Sequence, residues 1–120
     1  MALESNLKHI TNLQQSIVAF FDELIDMFPN EGDFVMVRFM IKDRIPATQL
    51  VEHFTKNLLP EKEVIKARKF SFFDKNVLLS QLGQEKGENF KKLVLSLDKE
   101  DMSVIWKWLD AFCILTEKCR

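Results

Sequence analysis

Leu3, Leu7, Ile10, Ile17, Phe21, Leu24 and Phe28 recur in steps of three, four and seven along the first 28 residues. Apolar residues at those steps share one face of a helix with 3.6 residues per turn. Only Gln14 interrupts the stripe, and Leu13, Val18, Phe20 and Ile25 widen it toward its C-terminal half. The spacing predicts a helix from about Ser5 to Phe28, with Asp22, Glu23 and Asp26 on its exposed face. Pro29-Asn30-Glu31-Gly32 then stops it, as breaker residues do.

The remaining 88 residues read as shorter helices. Phe34 to Ile41 is the ambiguous stretch, because its apolar residues also alternate as a strand would. A single strand would find no partner elsewhere in the chain, and unpaired buried backbone is costly. The segment is therefore read as a short, almost wholly buried helix with Asp33 as its N-cap and Arg38 as its one charge. Ile45-Pro46 opens a third helix, with Pro46 in the first turn, Leu50, Val51, Phe54 and Leu58 as its stripe and Pro60 as its end. A fourth runs from Glu61 to Lys69, with Val64, Ile65 and Ala67 inward. Phe70-Ser71-Phe72-Phe73 is an aromatic junction. Asp74 is expected to cap a short helix through Leu78, Leu79 and Leu82, stopped by Gly83, with Gln84 to Glu88 as a polar loop. Phe90, Leu93, Val94 and Leu97 form another short stripe. Asp98 is a predicted N-cap, with Asp101 three residues on, close to a capping box. The last helix, about Lys99 to Lys118, places Met102, Ile105, Trp106, Leu109, Phe112 and Cys113 inward. The expected fold is all-α: one compact domain over 1–120, six to seven helices, with the N- and C-terminal helices longest.

Composition narrows the class further. A chain of 120 residues can bury about two-thirds of its unfolded surface and needs no metal or disulfide staple. Three Gly and three Pro argue against a turn-rich sandwich or barrel. No charge-free apolar run approaches the ~20 residues that span a bilayer, so no membrane partner is expected. The N-terminus lacks a signal-peptide pattern, Ala2 excludes myristoylation, and the C-terminus is not a prenylation box. Cys113 and Cys119, six residues apart on one helix, are too far apart to bridge. They fit an intracellular, reducing compartment, one as a core thiol and the other as a frayed terminal one.

The chemical inventory is thin. His9 and His53 are the only imidazoles, and no pattern brings a hydroxyl or thiol to either one, as nucleophilic catalysis requires. Glycine-rich phosphate loops and zinc-ligand spacings are missing from the sequence. Asp22, Glu23 and Asp26 on one helix face are ordinary for a solvated helix. The reading is of a non-enzyme without cofactor or metal.

Two features are less bland. Trp106 and Trp108 diverge by roughly 200° on a helix, so with Trp106 in the core Trp108 faces away, as an interface anchor does, unless it lies under the loop before the last helix or packs on the N-terminal helix. Val104 and Leu115 also fall outside the core stripe. The second feature is charge. Residues 1–33 carry a net charge of -5 (one base, six acids), residues 34–75 carry +4 (nine bases, five acids), and the rest balance at seven each. Lys62, Lys66, Arg68 and Lys69 are the densest cations, beside Phe70, Phe72 and Phe73. Basic residues interleaved with aromatics can hold single-stranded nucleic acid; a solvated helix face next to buried inter-helix phenylalanines is the ordinary alternative.

The blocks Asn89-Phe90-Lys91-Lys92-Leu93, Leu97-Asp98-Lys99-Glu100-Asp101, Ile105-Trp106-Lys107-Trp108-Leu109-Asp110-Ala111-Phe112 and Thr116-Glu117-Lys118-Cys119, with Phe28-Pro29-Asn30-Glu31, Ile45-Pro46 and Leu58-Leu59-Pro60 before them, resemble short proteins of nucleocytoplasmic large DNA viruses, the giant viruses of algae and protists. The resemblance spans nearly the whole chain. It implies a viral protein acting in the infected cell's cytoplasm or packaged in the particle, and it supplies no catalytic residues.

The expected function is a helical protein-interaction or structural module using Trp108, Val104 and Leu115, with a protein partner. The alternative is a nucleic-acid-binding accessory using Lys62, Lys66, Arg68 and Lys69. Homo-oligomerisation through Leu3, Leu7 and Ile10 of the first helix is a further expectation.

Overall fold

The computed structural model describes residues 2–79 and 84–119, with side chains described from residue 6 onward except residue 84. All its regular elements are helical: α1 (Ala2–Met27), α2 (Gly32–Phe39), a π-helical turn (Met40–Arg44), α3 (Ala47–Asn57), a 3-10 turn (Leu59–Glu61), α4 (Lys62–Lys66), a 3-10 segment (Phe70–Lys75), α5 (Gln84–Leu95) and α6 (Lys99–Lys118). Among the described residues there is no strand, so the all-α expectation holds, with the two terminal helices longest.

α1 and α6 form the centre. Phe20 of α1 is fully buried against Phe112 of α6 (ring centroids 5.4 Å apart, edge-on) and against its own neighbour Phe21. Edge-to-face rings at this spacing gain beyond their area burial. Leu13, Ile17, Phe21 and Leu24 carry the buried face along α1, and Ile105, Leu109 and Phe112 along α6. α3 closes the pair through Phe54, whose ring lies 5.8 Å from Phe112. A second row of rings runs Phe28, Phe34, Phe90, Phe73, Trp106 at successive centroid distances of 5.3 to 6.0 Å. It ties the end of α1 to α2, α5, the 3-10 segment and α6. The radius of gyration, 13.9 Å, is that of a compact chain of this length, ~14 Å.

The cap of α6 is as expected: Asp98 Oδ1 accepts the Asp101 backbone N–H at 2.9 Å. Gln14, the one polar residue in the α1 stripe, donates from Nε2 to the Ile41 carbonyl at 3.0 Å. That carbonyl lies in the π turn, whose closing bond runs from the Ile45 N–H to the Met40 carbonyl at 2.7 Å.

Several local expectations are corrected. Residues 34–41 are helical, but the helix starts at Gly32, with Glu31 rather than Asp33 at the N-cap position and Asp33 in the first turn. Pro46 precedes α3 instead of opening it; its carbonyl accepts the Gln49 and Leu50 N–H groups. α4 stops at Lys66, three residues short of Lys69, because Arg68 takes the left-handed conformation (φ 57°). Asp74 caps no helix. It lies in the 3-10 segment, which Asn76 ends at φ 48°, again left-handed, and Val77 to Leu79 follow without regular structure. Leu82 and Gly83 lie outside the described residues. Gln84 to Glu88 is the first part of α5 rather than a loop. Gly87 is buried there because α5 passes directly over Asn76; a Cβ at Gly87 would meet the Asn76 amide far inside van der Waals contact. Cys119 is buried, not frayed, and both thiols are free.

Candidate interaction surfaces

Three surfaces follow from this arrangement. The first is the α6 flank. Val104, Trp108 and Leu115 lie along one side of α6, all half-buried. Of the placements open to Trp108, the structure shows the one against the N-terminal helix: its ring sits 6.0 Å from both Phe20 and Phe112. Trp106, roughly 200° away around α6, packs instead on Phe70 and Phe73. Both indoles reach the core because α6 has neighbours on two sides, α1 with α3 and α4 with the aromatic junction. Within that junction Phe72 and Phe73 are buried and Phe70 is partly exposed, so the trio acts mainly as packing.

The second surface is the basic segment. Lys62 donates to Glu117 Oε1 at 2.5 Å, which holds its ammonium pKa above the usual lysine range, first through that hydrogen bond and then through the carboxylate's charge. Arg68 makes a two-pronged bond to Asp110, at 2.9 Å and 2.7 Å, and its guanidinium lies over the Trp106 ring. The αL turn at Arg68 aims this side chain back at α6. Lys66 and Lys69 make no ion pair with any described residue. A groove of about 260 Å³ runs between Lys62, Lys66, Arg68, Asp110, Cys113 and Ile114. Burial pushes the Cys113 thiol up to about 11, so the neighbouring cations do not activate it. Three of the four expected cations, Lys62, Lys66 and Arg68, thus line one groove, but Lys62 and Arg68 are spent in tying α4 and its following turn to α6.

The third surface is α2, and reading the residues missed it. Phe34, Val37 and Ile41 point into the core. Val35, Met36 and Phe39 point the opposite way and are 54%, 54% and 49% exposed. The expectation that this helix is almost wholly buried is therefore wrong for three of the seven apolar side chains of residues 34–41. Arg38 leans aside to Asp22 of α1 at 2.5 Å. Arg44 lies over the Phe39 ring, 5.6 Å from its centroid. Lys42 and Arg44 make no ion pair with a described residue. Apolar residues all round a helix normally mean burial on all sides, and that rule hid the outer face. The available signal was positional: a short helix on the flank of α1 has a neighbour on one side only.

No protein-family model, curated protein or solved structure matches the chain.

The other residues singled out in the sequence are unremarkable in place. His53 is half-buried, with Nε2 2.7 Å from the Val77 carbonyl and Nδ1 3.1 Å from the Asn57 amide, so its ring helps anchor the segment after Lys75. His9 is half-buried on α1. Among the described residues no three His, Cys, Asp or Glu side chains are grouped to hold a metal ion, and no helix is long and apolar enough to cross a membrane. Of the proposed N-terminal oligomerisation stripe, Leu7 is exposed, Ile10 packs against the core and the side chain of Leu3 lies outside the described residues.

Proposed function

We propose that this chain is a non-enzymatic helical module that docks onto protein through the outer face of α2. The observation that carries the reading is the contiguous exposure of Val35, Met36 and Phe39 on the side of the helix opposite its core contacts. Apolar clusters displayed in this way mark interaction sites, whereas single exposed apolar residues do not. The α6 flank has less to offer, because Trp108 already spends much of its surface on Phe20 and Phe112. The non-enzymatic reading is supported by the His53 ring nitrogens being engaged in holding the fold, and by the Cys113 thiol being buried and pushed away from ionisation. On the resemblance described above, the setting would be the infected cell's cytoplasm or a virus particle, where both cysteines stay reduced.

The test is affinity capture from expressing cells with Phe39→Glu and Met36→Glu beside the unaltered chain. A bound protein should be lost from both variants while their melting curves stay unchanged. A bound protein that survives both but is lost on Ile114→Glu would move the surface to the groove between α4 and α6 and reject this reading.

A further inference from the structure

We propose that the occupant of the α2 face is a second copy of this chain, paired α2 to α2 in antiparallel fashion about a two-fold axis. This rests on the reading of α2 as the docking face. The argument is one of self-complementary charge. The start of α2 carries Glu31 and Asp33; the end of the π turn carries Lys42 and Arg44, neither of which has an ion-pair partner among the described residues. Among the described residues Asp33 pairs with Lys86 of α5 at 3.3 Å and Glu31 accepts from Asn89 at 3.4 Å, so one of the two acids is already matched by a cation and Glu31 carries the uncompensated charge at this end. When two such segments are laid antiparallel with the axis between Val37 and Arg38, Met36 of one copy faces Phe39 of the other. The two acids at each end then face the two cations of the other copy. A parallel pairing would set Lys42 and Arg44 against their own equivalents, and like charges in register are costly. Charge therefore selects the antiparallel arrangement, in which the same patch serves both partners about a two-fold axis.

The backbone fits this placement. Gly32 lies at the N-terminal end of the exposed stripe, and a Cβ there would meet nothing within 4 Å, so the site is open to close approach. Asp43, the one acid at the basic end, comes opposite the start of the other α2, whose first turn has no side-chain cap. A carboxylate is favoured at that end of a helix. The face is small, three half-exposed apolar side chains with charged ends, below the ~1,200 Å² of a standard interface, so the dimer is weak, with a dissociation constant on the order of 100 μM.

Sedimentation equilibrium of the full chain from ~10 μM to ~1 mM, at ~0.02 M and ~0.5 M salt, tests this over strong and weak screening. The mass should rise toward twice that of the chain at low salt, with affinity falling about tenfold at high salt. Phe39→Glu should abolish the rise without altering the melt. Lys42→Glu with Arg44→Glu should abolish it too, and mixing that double variant with Glu31→Lys/Asp33→Lys should restore a mixed dimer. A chain that stays monomeric throughout, or a dimer indifferent to these substitutions, overturns the proposal. If the chain is monomeric yet Phe39→Glu still loses a captured protein, self-pairing falls and the docking face stands. If α2 pairs with itself but captured proteins ignore Phe39→Glu, the docking of other proteins falls and self-pairing stands.

Discussion

Residues 32–44 and residues 62–69 both combine cations with nearby aromatics, and the fold treats them in opposite ways. In the second segment the charges are drawn inward: Lys62 reaches Glu117, and Arg68 clasps Asp110 while lying over Trp106. In the first, one cation, Arg38, is spent on Asp22, and the other two make no ion pair with a described residue and lie beside an exposed apolar stripe. A count of cations favours 62–69 as a binding surface; the count of cations left over after folding is equal, two in each. The difference lies in what surrounds them. Lys66 lines a groove whose walls are α4 and α6 themselves, and Lys42 and Arg44 lie beside apolar side chains that stay about half exposed.

The largest expected effect tests whether the two faces of α2 differ as the structure says. Phe34 is fully buried among Phe21, Phe28 and Phe90, while Phe39, five residues on, touches the guanidinium of Arg44 and solvent. Phe34→Ala should cost about 3–5 kcal/mol of unfolding free energy, the range for emptying an aromatic site in a core. Phe39→Ala should cost less than about 1 kcal/mol, the scale of an exposed cation–π contact. Urea denaturation of both variants reads the difference. Equal losses would mean that Phe39 is covered in solution by more than Arg44, and would place a partner on α2 already in the purified protein.

How far the residues foretold this contrast depends on which rule each region obeys. The α1 stripe and the Asp98 cap follow the helical period and capping chemistry, both local, and both were legible. Gln14 looked like a blemish in the stripe; its partner, the Ile41 carbonyl, is 27 residues away in a π turn that no period announces. The Asp74 helix failed because Asn76 turns left-handed, a conformation that asparagine tolerates but does not require. The loop expected at 84–88 failed for a related reason: glycine amid charges reads as a breaker, whereas Gly87 is there to let α5 cross Asn76. On α2 the apolar residues run all round the helix, so composition alone cannot say which half is covered. Only the layer in which the helix sits decides that, and layers are set by long-range packing.

Cys113 sharpens the comparison from the basic side. A reactive thiol beside Lys62 and Arg68 would suggest chemistry in that groove. Burial instead raises its pKa from the ordinary 9.0 to about 11, with Asp110 and Glu117 adding to the effect and Lys62 opposing it. The folded chain therefore keeps this proton at pH values where the unfolded chain has lost it. Stability from this source is fully present below about pH 9 and is lost as pH rises toward 11, by up to about 2 kcal/mol. Thermal melts between pH 8 and 11 should show a steeper fall for the native chain than for Cys113→Ala. Rapid alkylation of Cys113 at pH 8 under native conditions would contradict this and would make the groove a reactive site.

The smallest effect concerns what Arg68 is for. Its two bonds to Asp110 join the turn after α4 to the middle of α6, with both side chains about 40% exposed. Solvent screens such a pair, so Arg68→Ala should cost no more than about 1 kcal/mol. Arg68→Lys should recover little of that, because an ammonium cannot offer two parallel N–H groups to one carboxylate. If the guanidinium instead serves a phosphate backbone, Arg68→Ala would leave stability unchanged and reduce the salt dependence of DNA binding by about one phosphate contact, which Arg68→Lys, keeping the charge, would retain. Urea midpoints and a salt titration on single-stranded DNA, run on the same three proteins, separate the two roles. A bond that holds the fold shows in the midpoint alone. A free cation shows in the titration alone, and in that case residues 62–69 would join α2 as a displayed surface.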